Sequence, residues 1–307
     1  MFKITALLLL SSVLYAAPSN NSKNNKVVYG EDNRLDLFEV KNKLFRTLAK
    51  STAGMVDLKM LDNKGDTFAL SQKITLEEGL NVCPSEKFSD QPLAANCSGF
   101  LVGEDILVTA GHCYSGMAAN SCRTHAWVFD YAMESAASIN TEDIPRENVY
   151  HCKKVIKVKF DRNEDFAVIK LDRKVTGRKP LKVRKTGKVA DKTPLVVIGH
   201  PSMLPTKVSP GGTVLLNDGK FQFTTTLDTF QGNSGSAVFN AKTGVVEGIL
   251  VSGKTDYIPS RPQDPNSCVV VNKCDMKGDT CDGKDRGSVM IPGENVTRMS
   301  SLAKYLP

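Results

Sequence analysis

The sequence is poor in long apolar runs, in repeats and in one-signed charge. Its longest apolar run, Ile4 to Tyr15, falls short of the roughly 18 to 20 residues that a bilayer-spanning helix needs, so it reads as an export signal and not as a membrane anchor. No self-similarity recurs at the roughly 20 to 50 residue periods of solenoids. The formal charge of +7 shrinks once the first 26 residues are set aside: losing Lys3, Lys23 and Lys26 from the 40 basic residues leaves 37 against 33 acidic ones, or +4. That balance is no nucleic-acid signature. The paired Cys-x-x-Cys spacing of structural zinc is missing around Cys268, Cys274 and Cys281. Asp275, Asp279 and Asp282 are spaced suggestively for calcium, but Lys277 stands where an EF-type loop needs an acid. Neither a metal nor a cofactor is expected.

What is present is a globular chain of 307 residues, 41% hydrophobic and 24% charged, with ample apolar material for a core. Residues 1–16 have the layout of an export signal: Lys3, an apolar run, then Ala16 and Ala17 before Pro18. Residues 17–26 read as a short removable leader that ends at Val27-Val28. All eight cysteines follow the signal, and an even count in an exported chain points to disulfides and to a secreted or periplasmic location. Cys97 and Cys113 would close one hairpin, Cys122 and Cys152 one excursion, and the pairing of Cys83, Cys268, Cys274 and Cys281 is open.

From Ala53 onward, short apolar runs alternate with turn residues, as in Val155 to Phe160 and Val245 to Val251. This texture predicts an all-β fold of antiparallel meanders. A helix is expected only at the end, capped by Asn295 with Val296, Met299, Leu302, Ala303 and Leu306 on one face. The basic stretch between Arg178 and Lys192 reads as a solvated connector.

Three local patterns carry chemistry. Cys97 to Cys113 is a hairpin that runs into His112, and a bridge closing a loop of that size contributes about 3 kcal/mol in the chain-entropy model. Asp165-Phe166-Ala167-Val168 places an acid at the entrance of a buried strand, where it can orient an imidazole; Asp161 and Glu164 lack such an entrance. Gly232-Asn233-Ser234-Gly235-Ser236 flanks a serine with glycines, which lets backbone N–H groups turn toward a developing oxyanion. Serine, histidine and aspartate suffice for acyl transfer, because the hydroxyl becomes a nucleophile only when a correctly oriented base takes its proton. His125, His151 and His200 lack such flanks and read as structural.

Thr109-Ala110-Gly111-His112-Cys113, Asp165-Phe166-Ala167-Val168 and Gly232-Asn233-Ser234-Gly235-Ser236 together resemble the chymotrypsin-like serine endopeptidases, in particular the bacterial glutamyl-endopeptidase branch. Val27 to Arg34 is similar to the mature amino terminus of that branch. The resemblance implies two six-stranded antiparallel β-barrels with a C-terminal helix, residues 27–177 forming the first half and 178–307 the second. It implies His112 as general base, Asp165 as its orienter, Ser234 as nucleophile, and the N–H groups of Gly232 and Ser234 as the oxyanion hole. Protein or peptide substrates and a monomer are expected.

By the same resemblance Asp228, six residues before Ser234, would sit at the base of the primary pocket and select lysine or arginine, with Thr229 beside it and Val251, Ser252 and Gly253 as wall and substrate-pairing edge. Glutamate specificity is the alternative, supported by Thr229 and opposed by Leu250, where glutamate-specific members carry a histidine. A catalytically silent binding protein on the same fold is the rival from another class. Lys26–Val27 is a bond that an enzyme cutting after lysine could open in its own precursor. Asn233 cannot form the ion pair of trypsin-type activation, since an amide carries no charge.

Overall fold

The computed structural model describes residues 27–278, 280–282 and 292–307. The export signal and leader read for residues 1–26, and Asp279, lie outside the described residues. The first half is built from β1 Thr52–Asp57, β2 Ala95–Leu101, β3 Ile106–Thr109, β4 His125–Phe129, β5 Val149–Phe160 and β6 Asp165–Leu171. These close into a barrel in the order β5-β6-β3-β2-β1-β4. Closure removes free edges and surrounds Trp127, Phe100 and Phe166, each fully buried.

The second half comprises β7 Pro194–Gly199, β8 Lys207–Thr213, β9 Gln222–Thr225, β10 Ala237–Asn240, β11 Val246–Ser252 and β12 Glu294–Arg298, ordered β9-β12-β11-β10-β7-β8. Just past β8, Val214 bridges Thr225, and the Leu215 N–H donates to the Thr224 carbonyl at 2.8 Å. These bonds bring the first and last strands together and close a second six-stranded ring. The short strand Leu35–Asp36 adds to the outside of β8, so the amino-terminal segment belongs to the second half. One apolar core crosses between the halves, joining Phe100, Val108 and Phe166 to Ile198, Ala237 and Ile249.

The carboxyl-terminal helix starts later than the sequence suggests. Glu294 to Arg298 is a strand, and Asn295 caps nothing: its side-chain amide donates to Ser252 Oγ at 3.1 Å. The helix is Met299–Leu302, followed by a 3-10 turn at Ala303–Tyr305. The spacing of Val296, Met299 and Leu302 is helical, but β9 and β11 leave a slot that only a strand fills, so tertiary pairing overrides local preference. The basic stretch is largely exposed, with Leu181 and Val189 turned inward, and runs between β6 and β7. No helix among the described residues is long and apolar enough to cross a membrane.

Four disulfides form: Cys97–Cys113, Cys122–Cys152, Cys83–Cys268 and Cys274–Cys281. The first two are the pairs expected from the hairpin and the excursion. The third ties together residues 185 positions apart.

Candidate active site

β3 ends at Thr109, and the chain turns through Ala110 into a 3-10 turn at Gly111–Tyr114 that presents His112. Asp165 opens the neighbouring strand β6 and is buried. The imidazole Nδ1 of His112 lies 2.7 Å from Asp165 Oδ2, and the other carboxylate oxygen accepts the His112 backbone N–H at 3.0 Å. With Nδ1–H donating to the carboxylate, Nε2 is left as an acceptor able to take a proton. Asp161 is engaged elsewhere, accepting the N–H groups of Asn163 and Glu164 in its own exposed turn.

Ser234 comes from the second half and sits against the same corner. Its carbonyl accepts the Ser98 N–H at 2.8 Å, and Ser98 follows Cys97, whose disulfide ends at Cys113 beside His112. Gly235 has φ +90°, and a Cβ there would lie 2.1 Å from Ser98 O, 2.2 Å from Thr109 Oγ1 and 2.9 Å from Ala110 N. The residue after the serine is therefore pressed against the strand end that delivers the histidine. Only a glycine fits such an approach at that φ.

The turn before Ser234 is held by long-range bonds. The Gln231 carbonyl accepts the Ser202 N–H, the Gly232 carbonyl accepts Ser98 Oγ at 2.8 Å, and the Asn233 N–H donates to the Phe230 carbonyl at 2.9 Å. Among the described residues no peptide bond is cis. A trans peptide points its N–H opposite its carbonyl, so the bond to Ser202 turns the Gly232 N–H away from Ser202. An apolar-edged groove runs from His112 past Asn96 and Met117 to His125. Histidine 200 stands apart: fully buried, it reaches the Leu204 carbonyl through Nδ1 at 3.0 Å, and burial pushes its pKa down to about 4.

The amino-terminal segment braces the irregular stretch that leads to Ser234. Val27, Val28 and Tyr29 are at most 1% exposed, and the Val27 carbonyl accepts the Thr229 N–H at 3.1 Å. Asp228 receives the N–H of Tyr29 on one oxygen and that of Asn33 on the other, each at 2.8 Å. Arg34 lies 3.9 Å over the Phe230 ring and is clamped by both oxygens of Asp32.

Burial raises the Asp228 pKa to about 7, an effect that the two N–H donors and nearby Arg34 only partly offset and that the Asp32 carboxylate adds to. A folded pKa above the unfolded value near 3.8 means that the native state holds the proton more tightly. This contribution to stability is complete below pH 4 and is lost as pH rises through 7. In urea titrations the expected loss between pH 5 and pH 8 is on the order of 3 kcal/mol, and Asp228→Asn should remove that part of the slope. Equal slopes in the two proteins would contradict it.

Glu294, the first residue of β12, has no counterpart in the sequence reading. It is fully buried and takes hydrogen bonds from Tyr29 Oη at 3.0 Å, from the Lys254 N–H at 3.2 Å and from Thr229 Oγ1. No local pattern marks it, because its neighbours come from three distant parts of the chain.

A family profile described as trypsin-like peptidase domain matches residues 97–249, the interval that contains His112, Asp165 and Ser234. The chain is a chymotrypsin-fold serine endopeptidase. Among solved structures, a Glu endopeptidase in complex with MPD shares the fold at a TM-score of 0.51 and 15% identity, covering 91% of this chain and 97% of that one. A serine endoprotease from Yersinia pestis aligns at a TM-score of 0.41 and 15% identity over 76% of this chain and 63% of that one. No curated protein sequence matches. The endopeptidase acts on peptides or proteins, and its disulfides tie the loop around His112 to the first barrel.

Proposed function

We propose that this endopeptidase cleaves peptide bonds through an acyl-enzyme formed on Ser234, with His112 as general base and then acid, Asp165 holding the imidazole, and the N–H groups of Gly232 and Ser234 receiving the oxyanion. The reading rests on one observation above all: the 2.7 Å contact of His112 Nδ1 with Asp165, made at the corner where Gly235 packs against Ala110. In the first step Ser234 Oγ bonds to the substrate carbonyl carbon as His112 Nε2 takes the hydroxyl proton. That proton passes to the leaving amine when the peptide C–N bond breaks, and water repeats the sequence to release the acid.

The proposed enzyme cuts after lysine or arginine, with Thr229 and the stretch Val251 to Gly253 forming the pocket and the strand edge that pairs with substrate backbone. It is exported, residues 1–16 being its signal, and released from its leader by cleavage at Lys26–Val27. The single peptidase domain has its first half within residues 27–177, from which the segment 27–36 crosses over to join the second half, 178–307. Oxidised cysteine pairs suit a compartment outside the cytosol.

Ser234→Ala should lower kcat by about 10⁴-fold or more and abolish covalent labelling by a fluorophosphonate, while the protein keeps its far-ultraviolet circular dichroism. A Ser234→Ala protein with full hydrolysis, or a wild type that neither cleaves peptides nor takes the label, would overturn the assignment; the second result would favour a silent binding protein on this fold.

A further inference from the structure

Two buried carboxylates stand near the proposed substrate pocket, and the structure treats them differently. Asp228 has an oxygen on each of two backbone N–H groups, those of Tyr29 and Asn33. Both belong to the amino-terminal segment, so this carboxylate fastens the enzyme's own chain. Glu294 also takes Tyr29 Oη of that segment, but its other two donors, Thr229 Oγ1 and the Lys254 N–H, flank the proposed pocket. The fit against the wall is close: a Cβ on Gly253 would lie 1.8 Å from Glu294 Oε2 and 2.3 Å from Oε1. The carboxylate therefore occupies the volume that a side chain at position 253 would fill. β12 carries it there because Asn295 pairs with Ser252, which sets Glu294 alongside Gly253 at the end of the substrate-pairing edge.

We infer that Glu294, not Asp228, is the specificity-determining carboxylate of this endopeptidase, receiving the ammonium or guanidinium of a lysine or arginine that precedes the cleaved bond. The inference rests on the proposed Ser234 chemistry and on the pocket walls at Thr229 and Gly253. Three hydrogen-bond donors fix the direction of the Glu294 carboxylate. A substrate glutamate entering the same space would bring a second negative charge against it, and that like-charge clash rejects acidic side chains. Thr229, the feature that favoured glutamate specificity in the sequence, already spends its hydroxyl on Glu294. A cationic side chain brings opposite charge to the same carboxylate, and its long apolar stem lies along Val251 and Gly253.

The test uses the mature enzyme and a set of fluorogenic peptides that differ only before the scissile bond: lysine, arginine, glutamate, glutamine, leucine and alanine. The wild type should favour lysine and arginine by about 100-fold or more in kcat/KM. Glu294→Gln should lose that preference by a similar factor, and a fluorophosphonate should still label its serine. Asp228→Asn should keep the lysine and arginine preference. An unchanged preference in Glu294→Gln, or its loss in Asp228→Asn alone, overturns the inference and leaves the serine chemistry standing. Should Glu294→Gln fail to fold, the wild-type profile decides, since a preference for glutamate or for neutral residues overturns the inference equally. Absence of phosphonate labelling in the wild type would instead sink the proposed function itself.

Discussion

Asp165→Asn should reduce kcat by about 10⁴-fold with little change in the folded structure. The two oxygens of Asp165 have different duties. One accepts the backbone N–H of His112, and the other faces the imidazole Nδ1. An asparagine has a single oxygen to offer. If that oxygen stays on the backbone N–H, as the short reach favours, the amide NH₂ turns toward Nδ1 and forces the ring proton onto Nε2. The histidine then presents a proton to Ser234 where it must present a lone pair. Single-turnover acylation with a peptide ester, read beside thermal unfolding, checks this, and a kcat within tenfold of the wild type would show that Asp165 does not set the tautomer.

The second large effect is on the fold. Gly235→Ala should destabilise the protein by about 3–5 kcal/mol, combining a left-handed backbone penalty with steric overlap. The added methyl would meet Ser98 O at 2.1 Å and Thr109 Oγ1 at 2.2 Å, at a φ of +90°. Ser98 O already accepts Thr109 Oγ1 at 2.7 Å, so neither atom can retreat without breaking a buried bond between β2 and β3. Gly177→Ala provides the comparison: φ is +71° there and nothing lies within 4 Å of the new Cβ. Its cost should be about 1–2 kcal/mol, the backbone share alone. Urea midpoints for the two variants separate strain from overlap, and similar values for both would remove the steric argument.

How much of this was legible in the sequence depends on how local each signal is. The candidates His112, Asp165 and Ser234 could be singled out because each sits in a motif of a few residues whose flanks state its setting: a hairpin closed by cysteines, an acid at the mouth of an apolar strand, a serine between glycines. The pairs Cys97–Cys113 and Cys122–Cys152 were readable for the same reason, their loops being short enough to suggest closure. Cys83–Cys268 could not be chosen from sequence, since its partners meet only after the fold has brought opposite ends of the chain together. Glu294 carried no local signal. Its meaning comes from β12 lying beside β11, a pairing that turned the expected helical start into a strand and carried the carboxylate against Gly253. Asp228 was visible as an acid near the nucleophile, but its engagement with Tyr29 and Asn33 joins residues nearly 200 positions apart.

The stitching of residues 27–36 into the second half governs the order in which the molecule can be completed. Val28 and Tyr29 pair with Lys273 and Cys274, so this early segment finds its partners only when almost all of the remainder has been made. A chain folded without that segment would lack the bonds that hold Asp228 and Thr229, in the irregular stretch before Ser234.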